Sequence, residues 1–284
     1  MLKWQLGDYL TTFLLIIIRA KIKNWKIADS LQAEKIKYGN NKHQYLLWYN
    51  PQSKAERNNI IFFIHGGGWN KGNPEFFKFM ADYFTKLGFT TVMPTYRLAP
   101  DFQFPDQEID VFEALKKTSS ILRGSAVEKN IIIAGQSAGA HLGGLLLLNQ
   151  DLQQKYKLNK DLFTAFLSIS GPLDLSRPCR TKRAEKYLYG FVPTPKKRQK
   201  ANPINYLHSD FKIPIFCLHG AKDPLVPKAH SIVFLKEINA KTQAETKLKI
   251  FENKHHSDLT GLFFKNEPGN KEVKEWLLKV DKSN

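Results

Sequence analysis

A strand-to-helix turn at residues 131–141 constrains the fold of this chain more than any other stretch. The segment reads Ile-Ile-Ile-Ala-Gly-Gln-Ser-Ala-Gly-Ala-His: an apolar β-branched run stops at Gly-x-Ser-x-Gly, and an Ala/Leu/Gly-rich helical pattern follows. A serine on such a turn projects its hydroxyl above the sheet edge, and its neighbours must be small to avoid a clash. Gly135 and Gly139 are those neighbours. The pattern predicts that Ser137 is a nucleophile.

Strand-like and helix-like segments alternate regularly from residue 35 onward. Strands are predicted at 35–38, 45–49, 59–64, 90–93, 130–134, 164–170, 213–219 and 246–251, the first two as an antiparallel pair. Helices are predicted at 75–87, 106–122, 138–149, 228–240 and 271–280. This alternation indicates an α/β fold with a mostly parallel sheet covered by helices on both faces. The Pro- and Lys/Arg-rich stretch 172–212 interrupts it, and we expect a cap-like insert there.

Size and cysteine content fit one core-forming domain. The 284 residues include 42% hydrophobic residues, enough for a full core. Two cysteines, Cys179 and Cys217, cannot make a disulfide framework, and Cys217 lies in an apolar strand pattern that predicts burial. No pair has metal-ligand spacing, so we expect neither a metal nor another cofactor.

The charge of the chain is strongly positive. It has 43 Lys and Arg against 26 Asp and Glu, a net charge of +17, which favours contact with anionic surfaces. The densest basic stretch, 177–200, has no recognisable nucleic-acid module around it. We expect a solvated loop or helix face there, and no nucleic-acid partner.

The N-terminal segment, residues 1–34, is predicted to be an amphipathic helix and linker preceding a catalytic domain at 35–284. Its uncharged run, 10–18, would span only about 14 Å as a helix, half of a bilayer core. Arg19-Ala20-Lys21 stands where a signal peptide would need a small-residue cleavage site. We therefore expect a cytoplasmic protein. Apolar side chains recur at helical spacing: Leu6, Tyr9, Leu10, Phe13, Leu14 and Ile17.

Two interpretations of this helix remain open. Its apolar face could lie in a membrane interface, with residues 1–26 making peripheral contact through Trp4 and the trailing lysines. It could equally pack over the mouth of the active site as part of a lid.

A glycine-rich loop predicts an oxyanion hole. His65-Gly66-Gly67-Gly68-Trp69 directly follows the predicted strand 59–64. Three consecutive glycines let backbone N–H groups turn into a pocket that side chains would otherwise block. A further donor is expected from the N–H of Ala138, the residue after the nucleophile. His65 is expected to brace the loop.

The base and the acid that orients it must come from loops after later strands. His255 and His256 both follow the strand 246–251, and we favour His256 as the base. Asp223 follows the strand 213–219 and is the favoured acid, with Asp174 as its rival. Two other histidines are expected to be structural. His141 lies on the helix that follows the nucleophile and is expected to be a packing residue, and His219 is expected to be buried at the end of a core strand. Asp258 is too near His256 in sequence to orient it.

Several motifs together resemble the hormone-sensitive-lipase-like α/β-hydrolases, and most closely their bacterial carboxylesterase and arylformamidase-like branch. They are His-Gly-Gly-Gly-Trp at 65–69, Tyr-Arg-Leu-Ala-Pro at 96–100, Gly-Gln-Ser-Ala-Gly-Ala-His-Leu at 135–142 and His-Gly-x-x-Asp at 219–223. The resemblance covers roughly 36–280. It implies Ser137 as nucleophile, His256 as base and Asp223 as orienting acid, with oxyanion donors from Gly67, Gly68 and Ala138. Gln136 departs from the Asp or His of many relatives.

The resemblance implies a cofactor-free carboxylic-ester hydrolase that works through an acyl-enzyme. Aromatic residues near the mouth, including Trp69 and Phe76, indicate an apolar ester of short or medium acyl length, and Gln136 is expected to influence acyl preference. The same machinery could cleave an amide such as an arylformamide, or transfer the acyl group to another alcohol. A non-catalytic membrane-surface protein is a further alternative, although the complete set of catalytic residue types argues against it.

Overall fold

A single mixed β-sheet forms the centre of the protein. The computed structural model describes residues 2–53, 57–123, 129–264 and 268–282, without the side chains of 2–13, 160, 268 and 269. Eight strands form this sheet within the described residues: β1 (Glu34–Lys37), β2 (Tyr45–Tyr49), β3 (Asn59–Ile64), β4 (Thr91–Pro94), β5 (Asn130–Gln136), β6 (Phe163–Ile169), β7 (Ile215–Gly220) and β8 (Thr246–Phe251). Their order across the sheet is β1-β2-β4-β3-β5-β6-β7-β8. β2 pairs antiparallel with both β1 and β4, and the remaining pairs are parallel.

Helices cover both faces of the sheet. The α-helices are α1 (Leu2–Lys26), α2 (Lys78–Lys86), α3 (Asp106–Arg123), α4 (Ala138–Leu148), α5 (Gln150–Lys155), α6 (Lys182–Phe191), α7 (Pro195–Lys200), α8 (Ala229–Lys241) and α9 (Pro268–Lys282). Short 3-10 helices lie at Pro74–Phe77, Lys160–Leu162, Pro203–Tyr206 and Asp258–Phe263. The predicted α/β-hydrolase fold is confirmed.

Two hydrophobic cores lie on opposite faces of the sheet because side chains alternate along each strand. Along β3, Phe62 joins the core formed with α3, α4 and α8, whereas Phe63 joins the core formed with α1, α2 and α9. All six residues of β3 are buried, as a parallel strand covered on both faces requires. Cys217 on β7 is also fully buried, as predicted.

Several element boundaries differ from the sequence expectations. The helix predicted at 75–87 begins as a 3-10 helix at Pro74–Phe77 because Asn73 caps it, its side-chain oxygen accepting from the N–H of Phe76. The helix α5 was not predicted. It begins directly after α4, where Asn149 ends one helix and caps the next by accepting from the N–H of Leu152.

The N-terminal helix α1 packs on the main body of the protein. Ala20 is buried in the core on the α2 side of the sheet. The Asn24 side chain donates to the carbonyl of Phe76 at 2.8 Å and accepts from the N–H of Phe79 at 2.9 Å. Lys23 forms an ion pair with Asp82, with Nζ and Oδ2 2.7 Å apart. Across the described ranges, no helix combines the length and apolarity that crossing a bilayer requires.

The stretch predicted as an insert, 172–212, contains α6, α7 and the 3-10 helix Pro203–Tyr206. Leu188 and Phe191 of α6 are buried against the core on the α4 side. The insert therefore packs on the domain through one apolar face, and its basic residues lie mainly on exposed positions.

Candidate active site

Ser137 occupies a strained turn between β5 and α4. Its backbone has φ 53° and ψ −119°, a conformation that non-glycine residues rarely adopt. Its N–H donates to the carbonyl of Ile169 on β6 at 2.8 Å, which anchors the turn. Strain of this kind persists only where the surrounding structure enforces it, and it often marks a functional position.

His256 connects Ser137 to Asp223. Its Nε2 lies 2.8 Å from Oγ of Ser137, and its Nδ1 lies 2.6 Å from Oδ2 of Asp223. A carboxylate can only accept, so the proton of the neutral ring sits on Nδ1 and Nε2 accepts from the serine hydroxyl. All three side chains are buried. The structure thus brings together the three residues that the sequence singled out.

The carboxylate of Asp223 is held by further donors. Oδ1 accepts from the N–H groups of Leu225 and Val226, both at 2.9 Å. The Nε2 atom of His219 lies 3.5 Å from Oδ2. Burial raises the pKa of this carboxyl, but electrostatic attraction and hydrogen bonding from the His256 and His219 rings outweigh it and hold the pKa well below its usual range. Asp223 is therefore ionised at neutral pH.

The glycine loop after β3 lines the same cavity as Ser137. Gly67 and Gly68 have φ of +131° and +62°, values that only glycine adopts readily. The ring of Tyr187 also lies so close to Gly68 that a side chain there would collide with it. Within the described residues, the N–H groups of Gly67, Gly68 and Ala138 donate to no protein acceptor.

His65 lies beneath the glycine loop, as the sequence predicted. It is fully buried, its ring stacks on Tyr96 with centroids 4.4 Å apart, and its Nδ1 lies 2.8 Å from the carbonyl oxygen of Gly66. Burial lowers the pKa of His65 to about 4, so the imidazole stays neutral at physiological pH.

The rival candidates have other partners. His255 is buried, and its Nδ1 lies 3.0 Å from Oδ2 of Asp258. Consecutive residues of an extended loop point in different directions, which separates it from His256. Asp174 accepts from the Ser176 hydroxyl at 2.6 Å and forms an ion pair with Arg177, so its carboxylate stabilises the start of the insert.

A cavity of about 310 Å³ opens above Ser137. Trp69, Phe76 and Gln136 line it, together with Ser137 and His256. Apolar surface dominates this lining, and the charged side chains on it are cationic: Lys71, Arg177 and Arg183.

Further cavity walls come from the two segments that the sequence offered as a lid or cap, the N-terminal helix and the insert 172–212, and from α8, which it did not. Ile16 and Ile17 of α1 line the cavity, as do Tyr187 of the insert and His230 of α8. Burial lowers the pKa of His230 to about 4, so it adds a neutral ring to the wall. The apolar spacing of residues 6–17 was the available signal for α1, and the side chains of its first members, Leu6 to Phe13, lie outside the described residues. Which face meets the cavity depends on tertiary packing.

No group of three or more His, Cys, Asp or Glu side chains in the described ranges is arranged to hold a metal ion.

Comparisons with known proteins identify the family of the chain. The family model BD-FAE matches residues 46–238, well over half of the chain. The chain is 28% identical over 242 residues to Esterase LipQ from Mycobacterium tuberculosis, covering 80% of this chain and 57% of LipQ. It is 30% identical over 154 residues to arylacetamide deacetylase from Oryctolagus cuniculus, covering 48% of this chain and 36% of that protein. The chain thus spans only about half the length of LipQ.

The crystal structure of Esterase B from Lactobacillus rhamnosis (HN001) has the same fold. It superposes with a TM-score of 0.77 at 19% identity, covering 99% of this chain and 95% of that one. The superposition therefore extends across α1, which lies outside the sequence resemblance. Together with the match over 46–238, these comparisons show that the chain belongs to the BD-FAE family, among the hormone-sensitive-lipase-like α/β-hydrolases.

Proposed function

We propose that the protein is a serine hydrolase of carboxylic esters with apolar acyl groups of short or medium length. One observation carries the proposal: the hydrogen-bonded series Asp223, His256 and Ser137 ends at a largely apolar cavity. The names of Esterase LipQ and Esterase B support the same reaction class.

In the proposed acylation step, Oγ of Ser137 bonds to the ester carbonyl carbon while Nε2 of His256 takes the hydroxyl proton. The carbonyl π electrons move onto oxygen, and the N–H groups of Gly67, Gly68 and Ala138 bind the resulting oxyanion. The intermediate collapses by breaking the bond to the alkoxy oxygen, which receives the proton from His256 and leaves as an alcohol. Asp223 stabilises the imidazolium throughout.

Deacylation repeats this route with water. Nε2 of His256 takes a proton from the water as its oxygen bonds to the acyl carbon. Collapse breaks the bond to Oγ, Ser137 regains its proton, and the carboxylic acid leaves. Neither step needs a cofactor, since proton transfer and oxyanion binding account for both.

We further propose that α1 and the insert 172–212 form the cap over the site. Ile16 and Ile17 from the one, and Tyr187 and Leu188 from the other, line the cavity and support this. Such a cap excludes water from the acyl pocket and limits the length of the acyl chain.

The deciding experiment compares Ser137→Ala with Ser119→Ala on p-nitrophenyl acetate and butyrate. Both serines are 8% exposed, but Ser119 lies on α3 away from the cavity, which makes it a matched control. We expect Ser137→Ala to lose roughly 10³-fold or more in kcat, and a fluorophosphonate to label the parent protein but not this variant. Full hydrolysis by Ser137→Ala would contradict the proposal.

A second candidate, amide hydrolysis by the same residues, is favoured by the match to arylacetamide deacetylase. The acyl-enzyme chemistry is shared, and His256 would protonate a leaving amine instead of an alcohol. A panel that pairs phenyl acetate with acetanilide, and includes N-formylkynurenine, separates the two. A higher kcat/KM on the amides would favour the second candidate.

A further inference from the structure

The helix α1 exposes an apolar surface. Within the described residues, eight large hydrophobic side chains are exposed, and five of them lie on α1. We call these five the outer face: Leu14, Leu15, Ile18, Ile22 and Trp25, which are 58, 48, 44, 49 and 77% exposed. Soluble surfaces rarely concentrate large apolar side chains in this way, so the outer face indicates an interaction site.

The outer face is a continuous stripe. Successive residues of an α-helix are rotated by about 100°, which places all five side chains within an arc of about 100°. The buried residues Ile16 and Ala20 fall on the opposite side of the helix. α1 thus has two apolar sides: one packs on the protein, and the other is exposed on the surface.

Exposed cations border the outer face on both edges. On the same helical wheel, Arg19 and Lys26 lie along one edge and Lys21 along the other, and all three are exposed. Lys23, by contrast, turns towards the protein and pairs with Asp82. An apolar stripe bordered by Lys and Arg is the pattern of helices that lie in the interface of a membrane.

We infer that the outer face docks the protein on an anionic membrane, with α1 parallel to the surface. The net charge of +17 complements anionic headgroups, and the cavity beneath α1 is lined by Lys71, Arg177 and Arg183 without a carboxylate among its described lining residues. The hydrogen bonds from Asn24 and the Lys23–Asp82 pair hold α1 in place, so this surface is already formed before it meets lipid.

Docking would bring the bilayer close to the cavity. Ile16 and Ile17 line the cavity from the inward side of α1, and a helix with its side chains is only about 10 Å across. An apolar ester dissolved in the membrane would then enter past α1 without crossing bulk water. The docking itself does not depend on the proposed hydrolysis.

The test measures co-sedimentation of the full chain with vesicles of phosphatidylcholine alone or mixed equally with phosphatidylglycerol. Ile18→Ser is compared with Ile232→Ser, because these isoleucines are 44 and 41% exposed and both lie on helices. We expect strong binding to the anionic vesicles, a loss of about tenfold for Ile18→Ser, and no change for Ile232→Ser. Both positions are exposed, and matching melting temperatures would show that the fold is retained.

A second comparison tests the cations. Arg19, Lys21 and Lys26 are changed together to Gln, and the control changes Lys117, Lys155 and Lys236 on the opposite face of the sheet. Both variants lose the same charge. We expect only the first variant to lose its preference for anionic vesicles. The parent protein should bind anionic vesicles more strongly than phosphatidylcholine vesicles, and this difference should fall in about 1 M salt, where charges are screened within about 3 Å.

Three outcomes would overturn the inference. One is no sedimentation of the parent protein with anionic vesicles. Another is an equal loss of binding to anionic vesicles in Ile18→Ser and Ile232→Ser. The last is self-association that Ile18→Ser abolishes in the absence of vesicle binding, which would assign the outer face to a second copy of the chain. Fluorophosphonate labelling of Ser137 is measured separately, so failure to dock and failure to hydrolyse are distinguished.

Discussion

The indole Nε1 of Trp69 donates a hydrogen bond to Nδ1 of His141 over 3.2 Å. Because Nδ1 accepts, the ring proton lies on Nε2, which donates to the carbonyl of Ala201 at 2.7 Å. One buried imidazole thus joins the glycine loop, the helix α4 and the insert. Trp69 also stacks on Phe191 with ring centroids 4.5 Å apart, which fixes the loop further.

We expect Trp69→Phe to destabilise the protein by about 1–3 kcal/mol, because Nδ1 of His141 would remain buried without a donor. Trp48→Phe is the control: its Nε1 also donates over 3.2 Å, to Asn50, but in an exposed position. That variant should change the free energy of unfolding by less than about 0.5 kcal/mol. Urea denaturation followed by circular dichroism measures both, and equal effects would contradict the role of the buried bond.

Stability should fall on acidification below the ordinary histidine pKa. Burial lowers the pKa of His65 and His230 to about 4 and that of His141 to about 3. The unfolded chain takes up these protons near pH 6.5, whereas the folded protein does not. The stability that the neutral histidines contribute is therefore fully present above about pH 6.5 and is lost as the pH falls below it.

Each of these histidines contributes a slope of about 1.4 kcal/mol per pH unit between about pH 6 and pH 5. His141→Asn should remove one such contribution from the slope, whatever its effect on absolute stability. Urea unfolding across this pH range gives the slope directly, and an unchanged slope in the variant would rule out a neutral His141.

Glu108 on α3 should weaken the fold at alkaline pH. Burial raises its pKa to about 7, although the Asn149 amide donates to Oε1 at 2.9 Å and opposes this. Because the pKa is raised in the folded protein, the stability that protonated Glu108 contributes is fully present below about pH 4.5. That contribution is lost as the pH rises through about 7.

Glu108→Gln keeps the acceptor for Asn149 without the charge. We expect it to stabilise the protein by up to about 3 kcal/mol at about pH 8, with little effect at about pH 5. Chemical denaturation at the two pH values provides the measurement. Equal effects at both would show that ionisation of Glu108 is not the cause.

Gly139→Ala should disrupt the turn that holds Ser137. A Cβ at this position would overlap the carbonyl oxygens of Ile64 and His65, and a backbone cannot yield as a flexible side chain does. We expect a loss of about 3 kcal/mol or more, as for other severe steric conflicts in a core.

Gly190→Ala on α6 is the matched control, because a Cβ there meets nothing within 4 Å. Alanine favours a helix over glycine, so this variant should gain about 0.5–1 kcal/mol. Thermal unfolding measures the two variants, and similar behaviour would contradict the steric argument.

Asp223→Asn should reduce kcat on p-nitrophenyl butyrate by about 10⁴-fold with the fold retained, because an amide no longer holds His256 in the required tautomer. Asp174→Asn removes the rival carboxylate, which contacts the insert and not His256. We expect this second change to stay within about tenfold in kcat. A larger loss for Asp174→Asn than for Asp223→Asn would reverse the proposed roles.

Local steric rules made much of this site predictable. Gly135 and Gly139 are required by close backbone approach at the Ser137 turn, and that constraint acts over a few adjacent residues. The alternation of apolar strands and helical patterns likewise predicted the sheet, with boundaries shifted by a few residues where caps such as Asn73 decide them.

Long-range geometry was decided only by the tertiary structure. His256 meets Ser137 across 119 positions and Asp223 across 33, and only the order of the parallel strands places the three loops at one sheet edge. Whether His255 or His256 turned inward, and which side of α1 faced the cavity, also depended on that packing. A sequence specifies the conformation of neighbouring residues through local sterics, whereas side-chain direction at loop ends is fixed by contacts between distant elements.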